Sequence, residues 1–262
     1  MRLKDRVAVV TGAASGIGQG IAHLFSENGA RIVAADKNSR GLEETISAIE
    51  KRGREAISVE MDVTVPSDST RMINTALETF GQVDILVNVA GTGQRHSFLE
   101  ATPDEFDRVM KVNLYGTLFC SQAAGREMVK KGYGRIINIA SIAGERAGSG
   151  RTAYGTSKAA VIGLTRQAAL ELGPQGVTVN AVGPGPVDTP LTRVTHNEET
   201  REGYKRYIPL RRYGTIDEIA DATLFLAGEA ASYMNGHILF CDGGYIASGI
   251  ASDYGGNISP NH

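Results

Sequence analysis

Two residues one helical turn apart, Tyr154 and Lys158 in the run Ala153-Tyr154-Gly155-Thr156-Ser157-Lys158, have the types and spacing needed to move a proton. On a helix, positions i and i+4 share a face, so the lysine ammonium can lie beside the phenol and favour its ionised form. A free phenol titrates near pH 10, and bringing it to about pH 7 takes roughly 4 kcal/mol of differential stabilisation, much of which a neighbouring cation can supply. Thirteen residues before Tyr154, Ser141 closes the apolar run Arg135-Ile136-Ile137-Asn138-Ile139-Ala140. Its hydroxyl could donate to the same substrate oxygen and fix its position before the proton moves. A tyrosine and lysine at this spacing also describe an ordinary solvated helix face, so the elements around them decide.

Those elements alternate. Short β-branched runs at 6–11, 30–35, 56–61, 83–88, 134–140, 176–182 and 237–241 read as strands, and helical patterns fall near 16–28, 39–52, 67–80, 103–130, 154–172 and 215–228. Alternation of this kind is the signature of an α/β, doubly wound, Rossmann-type parallel sheet, here with seven strands. Thr102-Pro103-Asp104-Glu105 is a helix start, with a capping threonine, a proline at the first helical position and acids in the first turn. No linker or charge block divides residues 1–262, so one domain is expected. The stretch 184–210, with Pro184, Pro186 and Pro190 ahead of a polar segment, breaks the alternation and reads as a substrate lid. The tail 247–262 has little core-forming content, and either lacks order or is ordered by a partner subunit.

Directly after the first strand comes Thr11-Gly12-Ala13-Ala14-Ser15-Gly16-Ile17-Gly18, followed by an amphipathic helix. Glycines here let the backbone approach a pyrophosphate, while the helix N-terminus offers free N–H groups and a positive dipole end. The spacing differs from G-x-G-x-x-G, but the strand before it, the helix after it and Asp36 at the end of the second strand supply the context. A carboxylate at Asp36 would accept from the adenosine ribose and repel a 2′-phosphate, favouring NAD over NADP; Lys37 beside it pulls the other way. Asp62, next to Val63 at the end of the third strand, could accept from the adenine amino group or could cap a turn. Asn88-Val89-Ala90-Gly91 closes the fourth strand. Ligands of open α/β sheets bind beyond the C-terminal ends of the strands, so Thr11, Asp36, Asp62, Asn88 and Ser141 should face one crevice.

Bulk properties narrow the function classes. The 262 residues carry 27 basic and 29 acidic side chains, a formal net charge of -2, and no long basic run, which argues against a nucleic-acid partner. Cys120 and Cys241 stand apart and belong to no ligand-spaced cluster, so neither a disulfide framework nor a catalytic metal is expected, and a reducing cytoplasm fits. The N-terminal apolar run is too short for a signal peptide, and no apolar run approaches the ~18 residues of a membrane span.

Taken together, T-G-A-A-S-G-I-G at 11–18, Asn88-Val89-Ala90-Gly91, Asn113, Ser141, Tyr154 with Lys158, and Pro184-Gly185-Pro186-Val187-Asp188-Thr189-Pro190 resemble the classical short-chain dehydrogenase/reductase family over residues 5–246. The resemblance implies a strand order of 3-2-1-4-5-6-7 and a homotetramer. It implies that Tyr154 is the acid/base, that Ser141 orients the substrate, that Lys158 binds the nicotinamide ribose and lowers the tyrosine pKa, and that Asn113 holds a proton-relay water. Asn113 could instead bond a neighbouring carbonyl. The implied cofactor contacts are Gly12, Ser15, Gly16, Ile17, Gly18, Asp36, Asp62, Val63, Asn88, Ala90, Tyr154, Lys158, Pro184, Gly185, Val187 and Thr189. Val89 departs from the family, which usually has a second asparagine there.

The substrate pocket should be lined by 92–98, 142–151 and 184–210, stretches that contain Arg95, Arg146, Arg151 and Arg193. Arg151, three residues before Tyr154, could hold a carboxylate, sulfonate or phosphate; surface or intersubunit arginines are the alternative. The leading expectation is an NAD-dependent dehydrogenase of a secondary alcohol, on a small polyol, hydroxy acid or hydroxysulfonate. An NADPH-dependent 3-oxoacyl-type ketone reductase and a catalytically silent NAD-binding regulator are the alternatives. Asp36 speaks against the first, and the retained Tyr154 and Lys158 against the second.

Overall fold

Val7–Thr11 (β1) is buried at every position, as a strand must be when both faces of its sheet are covered. Its side chains alternate: Ala8 and Val10 join one core, while Val7 and Val9 join the other. β1 pairs in parallel with Arg31–Asp36 (β2) on one side and Ile85–Asn88 (β4) on the other. Ala56–Glu60 (β3), Gly134–Ile139 (β5), Val177–Pro184 (β6) and Ile238–Cys241 (β7) complete a seven-stranded parallel sheet in the order β3-β2-β1-β4-β5-β6-β7. This computed structural model describes residues 1–93 and 95–248. From residue 249 onward the expected tail lies outside the described residues.

Helices cover both faces. Gly16–Glu27 (α1), Ser39–Glu50 (α2) and Ile216–Ala227 (α9) bury Ile21, Phe25, Leu42, Ile49, Ile219 and Leu224 against one face. Pro66–Phe80 (α3), Gly116–Lys131 (α5) and Thr152–Leu172 (α6) bury Met72, Ile73, Ala124, Met128 and Ala169 against the other. Polar side chains thread this second side. Asn88 donates to Asn138 (2.8 Å) and Ser121 (3.0 Å), and Asn138 donates to Thr165 (2.9 Å), tying β4 and β5 to α5 and α6.

Two departures from the expected elements bear on the site. The helix expected over 103–130 runs as Pro103–Met110 (α4), a π-helical turn at Lys111–Tyr115, and α5, with Asn113 buried in the turn. Single π turns inside α-helices cluster at functional sites. The stretch 184–210 holds two helices, Pro190–Thr195 (α7) and Glu198–Tyr207 (α8). Thr189 starts α7 through a capping box with Thr192, and Asn197 caps α8.

Candidate active site

The glycine loop sits over the C-terminal end of β1 because its turn tolerates only glycine at key places. Gly12 has φ +68°, and a Cβ there would meet the Ala90 nitrogen at 2.8 Å; a Cβ on Gly18 would overlap the Gly12 carbonyl. Ser15 precedes α1 and makes no side-chain cap bond, leaving the helix N-terminus open. From it a cleft of about 800 Å³ extends along the strand ends, lined among others by Gly12, Ser15, Gly16, Ile17, Gly18, Asp36, Asp62, Val63, Ala90 and Thr189. Asp36 carries its carboxylate into this cleft while accepting from the Ala14 and Asn38 N–H groups at 3.2 and 3.0 Å. Asp62 accepts from the backbone and side chain of Thr64 at 2.8 and 2.7 Å, a turn contact at the cleft wall. An open helix N-terminus for phosphate, an apolar wall and a carboxylate at the far strand end fit a dinucleotide.

Two expected crevice residues face inward. Asn88 is buried, with its amide committed to Ser121 and Asn138, and the Thr11 hydroxyl accepts from the Val89 and Ala90 N–H groups at 3.1 and 3.3 Å. Their side chains shape the strand ends without lining the cleft. Period-two alternation in the strand points them into the side-chain layer between sheet and helices.

A second pocket, of about 270 Å³, adjoins the first and contains Ser141, Tyr154 and Lys158 with Pro184, Gly185 and Val187. Ser141 stands just past β5 in extended conformation, its Oγ accepting from the Ala143 N–H at 3.1 Å. Lys158 is 5% exposed, and its Nζ donates to the Ile139 carbonyl at 2.7 Å, 5.9 Å from the Tyr154 ring centre. Burial alone brings the Lys158 ammonium down to about 8. Tyr154 is pushed upward from the ordinary phenol value, by burial first; Ser141 and the Arg151 charge act the other way. At Tyr154 the upward push of burial dominates, while the Lys158 ammonium bonds a strand-end carbonyl.

Asn113 uses every side-chain polar group on its neighbours: Oδ1 accepts from Thr92 N at 2.8 Å, and Nδ2 donates to Thr92 O and Ser157 Oγ at 2.9 Å each. It clamps the loop after β4 to α6, which leaves its amide no donor for a water.

The arginines divide. Arg151, just before α6, lines the pocket with its guanidinium 5.4 Å from the Tyr154 ring centre, and Arg146 lines it too. Arg193 is instead paired with Asp188 at 3.0 Å on the surface, and Arg95 is exposed outside the pocket lining. Loop and short-helix side chains turn outward where an acid such as Asp188 waits, a position that spacing along the chain does not reveal. His196 and Tyr204 fall in the expected lining stretch 184–210 but were not singled out there, and Tyr245, beyond β7, lies outside every expected lining stretch.

Comparison with known proteins agrees with this geometry. A family model described as enoyl-(acyl carrier protein) reductase matches residues 12–246. A 2-(R)-hydroxypropyl-CoM dehydrogenase of Xanthobacter autotrophicus is 41% identical over 248 residues, covering 93% of this chain and 99% of that protein. A 3-oxoacyl-acyl-carrier-protein reductase of Aquifex aeolicus is 36% identical over 247 residues, covering 93% of this chain and 98% of that protein. Among solved structures, a 7 alpha-hydroxysteroid dehydrogenase complexed with NADH and 7-oxo glycochenodeoxycholic acid superposes with a TM-score of 0.90 at 34% identity, covering 93% of this chain and 95% of that one. This chain belongs to the short-chain dehydrogenase/reductase family of oxidoreductases, which act on CH–OH and keto groups.

Proposed function

We propose that this protein interconverts a secondary alcohol and a ketone with NAD as its cofactor. The observation that carries the reading is the convergence of Ser141, Tyr154 and Lys158 on one small pocket that opens onto the dinucleotide-sized cleft. Bound NAD or NADH would supply the hydride acceptor or donor. Gly12, Ser15, Gly16, Ile17 and Gly18 would hold its phosphates, Asp36 its adenosine ribose, Asp62 and Val63 its adenine, Ala90 and the 184–189 turn its nicotinamide half. In reduction, the Ser141 hydroxyl donates to the substrate carbonyl and orients it. Tyr154 would then give its phenolic proton to that oxygen; in oxidation, its phenolate would take the alcohol proton. Lys158 would bind the nicotinamide ribose, and its charge would favour the phenolate. Asn113 acts by holding the Thr92 loop against α6.

Asp36 supports NAD, since a carboxylate at the end of β2 repels a 2′-phosphate. Arg151, with Arg146, supports a small anionic substrate such as a hydroxy acid or hydroxysulfonate, and the 2-(R)-hydroxypropyl-CoM relative has that character in its name. An apolar groove between α5 and α6, lined by Leu118, Val129, Leu164 and Leu172, supports pairing with other copies in a homotetramer. The test is a panel of polyols, hydroxy acids and hydroxysulfonates, read at the reduced-nicotinamide absorbance with each cofactor. Turnover with NAD and an acidic alcohol is expected; turnover with NADPH alone on 3-oxoacyl thioesters would overturn the reading.

A further inference from the structure

His196 closes α7 and is buried, 7% exposed, between the two lid helices and the catalytic helix. One ring nitrogen, Nε2, lies 3.3 Å from Arg151 Nη2; the other, Nδ1, lies 2.9 Å from Tyr213 Oη. A guanidinium has only donors, so Nε2 must be the acceptor. In a neutral imidazole the proton then sits on Nδ1, which donates to the Tyr213 hydroxyl. Burial and the charges of Arg151, Arg95 and Arg201 hold the ring neutral, pushing it down to about 4. Tyr204 stacks on the imidazole, with ring centres 5.5 Å apart and 13° between planes, which fixes its rotation. The lid thus presents one aimed lone pair to one arm of Arg151.

We infer that His196 is a positioning residue: it holds Arg151 by its Nη2 arm so that the rest of the guanidinium stays over Tyr154 and faces an anionic group on the substrate. This rests on the proposed alcohol–ketone chemistry at Tyr154. Without the acceptor, Arg151 loses its hydrogen bond to the lid and keeps the contact with the Tyr154 ring, and a long side chain released from one hydrogen bond regains several rotamers. The same contact makes anion binding depend on the lid, because His196 lies between α7 and α8 while Arg151 lies at the start of α6. Arg201, on α8, continues the line with its guanidinium 5.0 Å from the Tyr213 ring centre and its Nη2 bonded to Asp188 at 3.2 Å.

The test uses the full chain with NADH and a matched pair of ketones, acetoacetate and its neutral ethyl ester. His196→Phe keeps a stacking ring but cannot accept; His196→Gln restores an acceptor. His196→Phe should lower kcat/KM for acetoacetate at least about tenfold more than for the ester, with the extra loss in KM, and His196→Gln should recover most of it. Equal losses on both ketones, with no recovery by glutamine, would overturn the inference and leave His196 as packing. A second measurement needs no turnover: imidazole nitrogen NMR of the wild-type chain at about pH 7 should give the Nδ1–H tautomer for His196. The Nε2–H tautomer would overturn the inference even if His196→Phe fails to fold. If wild type reduces neither ketone, the substrate reading fails, and the tautomer still decides whether His196 holds Arg151.

Discussion

Lys158 Nζ donates to the main-chain oxygen of Ile139 at 2.7 Å, so the catalytic helix is pinned to the end of β5 by the same ammonium that stands near the Tyr154 ring. With the site buried, Tyr154 titrates above the ordinary phenol value. At neutral pH the phenol is protonated, ready to act as the acid in ketone reduction. Alcohol oxidation needs the phenolate. Oxidation kcat/KM should therefore still be climbing at the alkaline end of the accessible range, with no plateau, while reduction is already full at neutral pH; initial rates in both directions across the range check this. An oxidation profile flat from about pH 6 would contradict it.

Asp36→Ala should shift cofactor preference toward NADP. Losing a charge-assisted hydrogen bond to the ribose costs about 1.5–3 kcal/mol, or roughly 10- to 150-fold in kcat/KM with NAD, and the repulsion of a 2′-phosphate goes with it. The ratio of kcat/KM for the two cofactors is the quantity to measure. A wild-type preference for NADP would refute the assignment.

The sheet was legible in the sequence because its strands are continuous apolar runs bounded by turns; β2 is shifted by one residue from the expected 30–35, and β7 starts one residue after the expected 237. The glycine loop was equally legible, since its residue types are forced by φ at Gly12 and by contact at Gly18. The lid helices were not. α8 reads Glu198-Glu199-Thr200-Arg201-Glu202-Gly203-Tyr204-Lys205-Arg206-Tyr207, with no apolar face to reveal a period. Thr189-Pro190 is the same kind of start signal as Thr102-Pro103, but α7 has only six residues, too few for a period to emerge. Side-chain direction was the other limit. Spacing put Tyr154 and Lys158 on one face, but did not carry the depth of burial or the strand carbonyl that accepts the lysine's hydrogen bond.

The buried amide chain beneath the site makes a stability prediction. Asn138→Leu keeps the volume but leaves an Asn88 N–H without its acceptor and removes the donor to Thr165. An unpaired buried polar group costs about 1–3 kcal/mol, to be read as a lowered midpoint in chemical denaturation. By contrast, Arg193→Ala touches only a surface pair with Asp188 and should leave the midpoint where it is. A large drop for Arg193→Ala and none for Asn138→Leu would invert the account.

His196 makes acid stability directional. Its folded value of about 4 lies below the usual 6.5, owing to burial and to Arg151, Arg95 and Arg201. Between about pH 6.5 and 4 the unfolded chain binds a proton that the folded chain refuses, so this group makes stability fall as pH falls through that window. His196→Gln removes the effect. The difference in denaturation midpoint between wild type and His196→Gln should change in the variant's favour from about pH 7 to 4.5; a constant difference would mean His196 titrates normally.

Tyr154→Phe tests the central claim most directly, because it deletes one oxygen and keeps the ring. Turnover should fall by about 10²–10⁴-fold, the usual contribution of a positioned acid/base, while NADH affinity followed by cofactor fluorescence stays within about twofold of wild type. Full activity in Tyr154→Phe would contradict the account, since the proton would then come from another group.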